Sequence, residues 1–201
     1  MILAENLSEK EHKKIRFLIG DAFVTNELFH ELGAIEERRP LVLKYMASYV
    51  DYVYEAKSLY MTEDGCGFIG LQYSEKAPIL PQLKMLIRIF YWLPFKKLRK
   101  MLRHIGQIAD TNQKYAKRPH IDVLMAAVVK SSQGKGYAKQ LIMFAKKTAA
   151  KRNVPLLIDT DMKAYAEMYR HLGFKLYNSK TADNQVTRYS LIWKPENSSS
   201  K

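Results

Sequence analysis

The sequence predicts one mixed α/β domain, and three observations support this fold class. Apolar strand-like segments alternate with helical segments in the C-terminal half, as in sheets built from strand–helix–strand crossovers. A short loop with two glycines, Gly134 and Gly136, joins an apolar strand directly to a helix. An Asp-Gly pair, Asp64-Gly65, separates two further strand-like segments as a hairpin turn. We therefore expect a sheet with helices packed on it and a parallel strand pair around the first crossover.

The first two elements are helices. Ser8 and Glu11 have the spacing of a capping box, in which each side chain accepts a hydrogen bond from the other residue's free backbone N–H. Apolar residues then recur at helical spacing and predict an amphipathic helix: Ile15, Leu18, Ile19, Ala22 and Phe23. Pro40 suits the first turn of a second helix, which continues to about Val53. A hairpin follows, with strands Lys57–Met61 and Cys66–Tyr73.

The segment from residue 76 to residue 118 differs in kind from the rest. It contains eleven basic residues and one acidic residue, so +10 of the chain's net charge of +13 lies in this insertion. Pro94 divides it into two predicted helices, the first of which is rich in Leu, Ile, Phe, Tyr and Trp. We hypothesise that these helices form a wall or lid over a substrate site. The alternative is that their apolar face only packs on the domain or forms a homodimer.

Regular elements resume after the insertion. In order, the predicted strands and helices are strand His120–Val129, helix Tyr137–Arg152, strand Val154–Asp159, helix Met162–His171, and strands Phe174–Tyr177 and Thr187–Trp193. The chain of 201 residues is thus expected to form a single domain over residues 1–195, followed by a disordered tail over residues 196–201.

Composition narrows the classes of function. The excess of 33 basic over 20 acidic residues calls for an anionic partner, which could be nucleic acid, a membrane surface or a phosphorylated small molecule. Cys66 is the single cysteine, so no intramolecular disulfide can form and a reducing, cytoplasmic setting is expected. The five histidines show no metal-ligand spacing, so no metal site is predicted. The apolar run from Lys84 to Phe95 is shorter than the roughly 20 residues that a membrane span needs.

The glycine loop carries the chemical signal. Backbone N–H groups and the positive end of the helix dipole converge where a strand ends and a helix begins, and this arrangement binds phosphate. Glycines let the backbone approach the anion, and Lys135 adds positive charge nearby. The nucleoside-triphosphate loop motif is absent, and the dinucleotide motif fails at its third glycine, where Lys139 stands.

Gln133-x-x-Gly136-x-Ala138 instead resembles the pyrophosphate loop of the GCN5-related N-acetyltransferases, and the resemblance extends from about Asp122 to Trp193. It implies a mixed, mostly antiparallel sheet with a splayed parallel strand pair, and it implies acetyl-CoA as cosubstrate. By position, the strand would contact the pantetheine arm and the loop would hold the pyrophosphate. The implied cofactor-binding residues are Ala126, Val128, Val129, Gln133, Gly134, Lys135, Gly136, Tyr137 and Ala138.

A second motif, Tyr169-x-x-x-Gly173-Phe174, resembles the closing signature of the same family. The resemblance assigns Tyr169 the role of general acid toward the departing CoA thiolate, although it could simply be a core aromatic residue. The family's Asn early in this helix is replaced by Met162. Asp122 stands where one branch of the family carries a catalytic Glu, and His120 is the competing base, with water as a third candidate.

The sequence therefore predicts an acetyl-CoA-dependent N-acetyltransferase that acts on a primary amine of a small molecule or peptide by direct attack. The positive insertion argues mildly for acceptors that carry a carboxylate or phosphate. The alternative is a catalytically degenerate CoA-binding scaffold whose basic insertion binds an anionic membrane or nucleic acid. No nucleic-acid reading motif is present, so nucleic acid is not expected. Peripheral membrane contact and a homodimer remain open.

Overall fold

A computed structural model describes residues 1–76, 78–109 and 118–196. Its centre is a seven-stranded sheet in the order β1-β2-β3-β4-β5-β7-β6. The strands are β1 Ile2–Leu3, β2 Leu59–Met61, β3 Gly67–Tyr73, β4 Ile121–Val128, β5 Leu156–Thr160, β6 Lys175–Thr181 and β7 Thr187–Trp193. β4 and β5 pair in parallel, and all other neighbours pair antiparallel. This confirms the predicted mixed α/β fold and its parallel pair.

Six α-helices and three short 3₁₀ segments of the described residues complete the fold. The helices are α1 Glu9–Phe23, α2 Ile35–Glu55, α3 Ile79–Trp92, α4 Phe95–Ile108, α5 Tyr137–Arg152 and α6 Lys163–His171. The 3₁₀ segments are Glu27–Leu32, Ser74–Lys76 and Lys130–Ser132. None of these helices is long and apolar enough to cross a bilayer.

The two faces of the sheet are covered by different helices. On one face, α1, α2 and parts of α3 and α4 bury Phe68 and Met125 of the sheet. On the other face, α5 and α6 bury Ile69, Ile121 and Val123. Helices on both faces place the ends of β4 and β5 between two packed layers, where a cleft can be enclosed from both sides.

Most predicted elements are confirmed, and the differences have physical reasons. The capping box of Ser8 and Glu11 is present at the start of α1. The second helix begins at Ile35 instead of near Pro40, so that Pro40 lies inside it, exposed and within its second turn. The edge strand β1 and the 3₁₀ helix Glu27–Leu32 were not predicted, since they are too short to show periodicity. The predicted tail lies outside the described residues beyond residue 196.

The insertion forms the helical hairpin α3–α4, divided at Pro94 as predicted. Of the seven basic side chains between residues 78 and 109, five pair with acidic side chains of the remaining domain. The pairs are Lys84–Glu55, Arg88–Asp51, Lys97–Glu37, Lys100–Glu31 and Arg103–Asp183. Much of the insertion's positive charge therefore faces the domain's own acids and attaches the hairpin to it.

The outer face of the same hairpin is apolar. Ten of the sixteen exposed large hydrophobic side chains among the described residues lie on it. They are Ile79, Leu80, Leu83, Leu86, Ile87, Phe90, Tyr91, Trp92, Phe95 and Leu102. We call this surface the apolar face.

Candidate active site

The site forms where β4 and β5 separate. Their parallel pairing covers only three residue pairs and ends at Val123 and Ile158, although β4 continues to Val128 and β5 to Thr160. The backbone edge of β4 that faces β5 is therefore open from Leu124 onward. Two cavities meet at this V-shaped opening, one on each face of the sheet.

A β-bulge at Leu124 determines which side chains of β4 face each cavity. Gly70 is level with Met125 and Leu71 with Val123, so Leu124 has no partner on β3. The Tyr49 hydroxyl donates to the Leu124 carbonyl over 3.2 Å and holds the bulge in place. One extra residue reverses the alternation of a strand. Consequently Ile121 and Val123 pack on the α5–α6 side, whereas Met125, of the same parity, packs on the α1–α2 side.

The first cavity, of about 390 Å³, lies beside the glycine loop and is called the glycine-loop cavity. Seven of the nine predicted cofactor-binding residues line it: Ala126, Val128, Gln133, Gly134, Gly136, Tyr137 and Ala138. Lys139, Met162 and Met168 line it as well. The structure thus brings most of the predicted loop and strand residues together at one cleft.

Two predicted residues lie outside this cavity. Val129 does not line it, because its N–H donates to the Cys66 carbonyl over 2.9 Å and its carbonyl accepts from the Ser132 N–H over 2.8 Å. Lys135 also points elsewhere, and Lys139, one helical turn further on, supplies the lysine of the lining. A lysine's position around a loop depends on backbone angles that the sequence pattern did not specify.

The loop backbone suits an anion. Gly134 and Gly136 have φ angles of +78° and +87°, a left-handed region that other residues adopt only with strain. Gly136 is the N-cap of α5, and no side chain caps this helix. The first-turn N–H groups of α5 therefore keep their donors for a ligand, and the helix dipole favours a negative one.

The second cavity, of about 440 Å³, lies on the α2 side and is called the carboxylate cavity. Three carboxyl side chains line it, Asp122 from β4 and Asp159 and Asp161 from the end of β5. Arg188 of β7 also lines this cavity, and no lysine does so within residues 1–76, 78–109 and 118–196. Aromatic side chains complete the walls: Phe23, Phe29, Tyr45, Tyr49, Tyr165 and Tyr169.

Asp122 and His120 form a hydrogen-bonded pair at the edge of the carboxylate cavity. His120 Nε2 lies 3.2 Å from Asp122 Oδ2, and His120 Nδ1 lies 2.6 Å from the Arg118 carbonyl oxygen. Because a carbonyl oxygen only accepts, Nδ1 carries a hydrogen and Nε2 faces the carboxyl group. The other oxygen, Asp122 Oδ1, is buried with no hydrogen-bond partner among the described residues. Burial raises the pKa of Asp122, and His120 opposes that shift.

The remaining acids of the cavity differ in their partners. Arg188 Nε and Nη2 each donate to Asp161 over 2.9 Å, a bidentate ion pair that leaves the guanidinium engaged. Burial raises the pKa of Asp159, the Ser190 hydroxyl and the charge of Arg188 lower it, and the negative charges of Asp122 and Asp161 raise it. These carboxyl groups therefore sit close enough to repel one another.

Tyr169 lies on α6 between the two cavities and lines both of them. Phe23, Asn26, Ala126 and Tyr165 are the other four shared lining residues. Tyr169 is only 7% exposed, and burial raises the pKa of its phenol. The hydroxyl is therefore protonated at neutral pH, as a proton donor must be.

Several residues of the site were not predicted: Tyr45, Tyr49, Asp159, Asp161 and Arg188. Asp159-Thr160-Asp161 at the end of a buried strand was a usable signal, because polar side chains at the carboxyl end of a parallel strand often line a site. Arg188 gave no such signal. It comes from a strand far along the chain, and only the neighbouring position of β5 and β7 brings it to Asp161.

No protein-family model matches the sequence, and no curated protein matches it. Solved structures do match, at probability 1.00. One is described as histone acetyltransferase HPA2 and related acetyltransferase from Corynebacterium glutamicum, with 15% identity, a TM-score of 0.58 and coverage of 94% of this chain and 93% of that chain. Another is the arylalkylamine N-acetyltransferase 2 of Aedes aegypti, with 17% identity, a TM-score of 0.56 and coverage of 94% and 97%. A third is an N-acetyltransferase of Staphylococcus aureus, with 13% identity, a TM-score of 0.55 and coverage of 90% and 96%.

The fold is that of the GCN5-related N-acetyltransferases. The similarity covers nearly the whole chain, whereas the sequence motifs covered about a third of it. The splayed β4–β5 pair, the uncapped α5 and Tyr169 on α6 therefore occur together within an acetyltransferase fold. Among the described residues, no group of three or more His, Cys, Asp or Glu side chains is arranged to hold a metal ion.

Proposed function

We propose that this protein is an acetyl-CoA-dependent N-acetyltransferase that transfers an acetyl group to a primary amine by direct attack in a ternary complex. One observation carries the proposal above all. The glycine-loop cavity and the carboxylate cavity meet at the opening of β4 and β5, with Tyr169 in the wall of both. Two substrates bound in these cavities would have their reactive ends side by side.

The residues present fit acetyl-CoA, which would supply the acetyl group as a thioester. The uncapped N-terminus of α5 and the two glycines of the loop would hold the pyrophosphate. The open edge of β4, at Ala126 and at the N–H of Val128, would pair with the pantetheine arm, whereas the Val128 carbonyl accepts from Gln133 Nε2 over 3.4 Å. Backbone N–H groups near the bulge at Leu124 would polarise the thioester carbonyl. Val129 takes no part in this proposal, because its backbone groups are already bonded.

The pair of Asp122 and His120 would act on the acceptor amine. An ammonium group must lose a proton before its nitrogen can attack the carbonyl carbon. Asp122 Oδ1 has no partner among the described residues and would take this proton, directly or through one water. His120 would share the proton through Oδ2. The new C–N bond then forms as the C–S bond breaks, and Tyr169 would donate its phenolic proton to the departing thiolate.

Substitution of Tyr169 tests this assignment. In an assay of CoA-thiol release over a panel of primary amines, we expect Tyr169→Phe to lower kcat about 10²-fold, since general acid catalysis typically contributes this much. The affinity for acetyl-CoA should change little, because the ring and its packing on Phe174 remain. Tyr91→Phe removes a hydroxyl from the exposed apolar face and serves as the matched control. Full activity of Tyr169→Phe would refute the general-acid role.

A second candidate function is docking on an anionic membrane surface, and the apolar face favours it. Its exposed Leu, Ile, Phe, Tyr and Trp side chains have the composition of helices that lie in a membrane interface. Lys44, 5.0 Å from the Trp92 ring, and Lys96 and Arg99 border it, and none of these three has an acidic partner among the described residues. A border of cationic side chains complements the phosphate groups of lipids. In a dimer the same side chains would face those of the second copy and repel them. We therefore favour a membrane as the occupant over a second copy.

A further inference from the structure

The charge of the carboxylate cavity indicates which amines fit it. Its lining includes three carboxyl groups, Asp122, Asp159 and Asp161, and one guanidinium, Arg188. Arg188 is paired with Asp161 through two N–H donors at 2.9 Å, so much of its charge is already balanced. Among the described lining residues three carboxyl groups thus face one guanidinium, and an anionic acceptor would meet more repulsion than attraction.

The described part of the basic insertion does not change this balance. α4 contributes Ile105 to the lining, and none of the insertion's described basic residues lines the cavity. Lys100, the basic residue that pairs with Glu31, and Arg103, which pairs with Asp183, are turned toward those acids. The sequence-based expectation of a carboxylate- or phosphate-bearing acceptor assumed that the insertion's charge faces the substrate. In α3 and α4, most of the basic side chains instead pair with acids outside the cavity.

The acids stand at two levels along the diverging strands. Asp122 is level with Leu157, in the paired part of β4 and β5. Asp159 lies two residues further along β5, a rise of about 7 Å along the strand. Asp161 lies beyond it, at the wide end of the opening. The cavity thus presents Asp122, the proposed proton acceptor, and further carboxyl groups a short aliphatic chain away, between aromatic walls that suit methylene groups and cations.

We propose that the acceptor is a diamine, or another short amine with a second cationic group, bound with its reacting nitrogen near Asp122 and Tyr169 and its second cation near Asp159. This inference rests on the proposed acetyltransferase function and adds the substrate class. The second cation would also relieve the mutual repulsion of the carboxyl groups, which stabilises the complex. Only the nitrogen beside Tyr169 is acetylated, and the other stays charged.

Three acceptors matched in length test the proposal with the unmodified protein. 1,4-Diaminobutane, n-pentylamine and 5-aminopentanoate carry a cationic, a neutral and an anionic tail. At saturating acetyl-CoA, we expect kcat/KM to fall in that order, by about tenfold or more at each step, as one ionic contact is lost and then replaced by repulsion. Equal values for the diamine and pentylamine, or a preference for 5-aminopentanoate, would overturn the proposal while leaving the acetyltransferase function intact. Absence of turnover with every amine, with acetyl-CoA bound or not, would refute the proposed function and this inference together.

Asp159→Asn locates the second cation. It keeps the shape of the side chain, so we expect the ratio of kcat/KM for 1,4-diaminobutane to kcat/KM for n-pentylamine to fall about tenfold. Glu36→Gln, on the exposed first turn of α2, makes the same charge change away from the cavity and should leave this ratio unchanged. An unchanged ratio in Asp159→Asn, whatever the activity with each amine, would contradict its assignment to the second cation. Acetyl-CoA affinity of each variant reports whether the fold is intact.

Discussion

At the residue scale, the proposed transfer of a proton from the amine depends on the contacts of Asp122. Its Oδ2 contacts the His120 imidazole and its Oδ1 lies in the wall of the carboxylate cavity. Burial raises its pKa, the first requirement for a carboxyl group that accepts a proton from an amine. Burial raises the pKa of the Tyr49 and Tyr52 phenols, and the negative charge of Asp122 raises both further. The carboxyl group thus sits among aromatic hydroxyls and one imidazole.

The pH dependence of kcat distinguishes Asp122 from His120 as the base. If Asp122 accepts the proton, kcat falls as pH drops through the raised pKa of Asp122, so the acid limb should lie above pH ~4, the ordinary Asp value. The His120 imidazole lowers the pKa of Asp122, so its removal in His120→Asn should raise that pKa and move the acid limb to higher pH. Asp122→Asn should abolish the limb. A limb that disappears in His120→Asn and survives in Asp122→Asn would instead make His120 the base.

At the scale of elements, the proposed binding of acetyl-CoA depends on the turn from β4 into α5. The loop must pass through two left-handed residues before the helix starts, and the space around both glycines is open. The requirement for glycine at these positions is therefore one of backbone angle and not of packing.

Gly136→Ala tests this requirement. The added methyl group meets nothing within 4 Å, so the cost arises from φ alone, and we expect the free energy of unfolding to fall by about 1–2 kcal/mol. Because the helix N-terminus would shift to relieve the strain, affinity for CoA should fall at least severalfold. Gly106→Ala in α4 is the matched control: it also has open space and has no positive φ, so it should raise stability by about 0.5–1 kcal/mol. Denaturant unfolding and CoA titration measure the two effects, and unchanged CoA affinity in Gly136→Ala would contradict the role of the loop.

Asp51 shows how the insertion is attached. Its carboxyl group accepts from Arg16 and Arg88 at 2.5 and 2.6 Å, which ties α1, α2 and α3 together. Glu31 does the same for α4, since it contacts Lys100 at 2.7 Å, His104 at 3.0 Å and Asn184 of the β6–β7 connection at 2.9 Å. Both acids are nearly buried, so these contacts are less screened than exposed ion pairs.

At the scale of the whole molecule, the net charge of +13 is distributed in a way that matters for partners. Among the described residues, most of the insertion's basic side chains face acids of the domain, the carboxylate cavity is acidic, and the apolar face carries few charges. The exposed surface of α3 is therefore mainly hydrophobic. Three cations without an acidic partner among the described residues, Lys44, Lys96 and Arg99, lie at its border.

Vesicle binding tests the membrane proposal at this scale. We expect the protein to sediment with phosphatidylcholine–phosphatidylserine vesicles more than with pure phosphatidylcholine, and less at high salt, because about 1 kcal/mol per basic residue comes from anionic headgroups. Ile87→Glu should lower the binding about tenfold or more, since it places a charge at the centre of the apolar face. Met143→Glu on α5 introduces the same charge on another exposed surface and should have little effect on vesicle binding. Dimerisation without vesicle binding would show a second copy as the occupant instead.

The fold was largely accessible from the sequence because its signals are local. The glycine loop, the start and end of α5, the strand before it and Pro94 between α3 and α4 follow from backbone chemistry that a few adjacent residues determine. The same holds for Tyr169 and most of the glycine-loop cavity, whose residues are close in sequence. The resemblance of two short motifs then sufficed for the acetyltransferase fold.

The α/β framework and the glycine turn before α5 follow from local sequence patterns. The acceptor side depends on contacts between residues that are distant in sequence. The bulge at Leu124 changes which β4 residues face each cavity, and it depends on pairing with β3 and on the Tyr49 hydroxyl. Arg188 neutralises Asp161 from a strand 27 residues away, and Asp51 and Glu31 turn the insertion's charge inward. Charge counted along the chain predicted an anionic acceptor, whereas charge placed in space predicts a cationic one, because electrostatic energy depends on distance and not on sequence position.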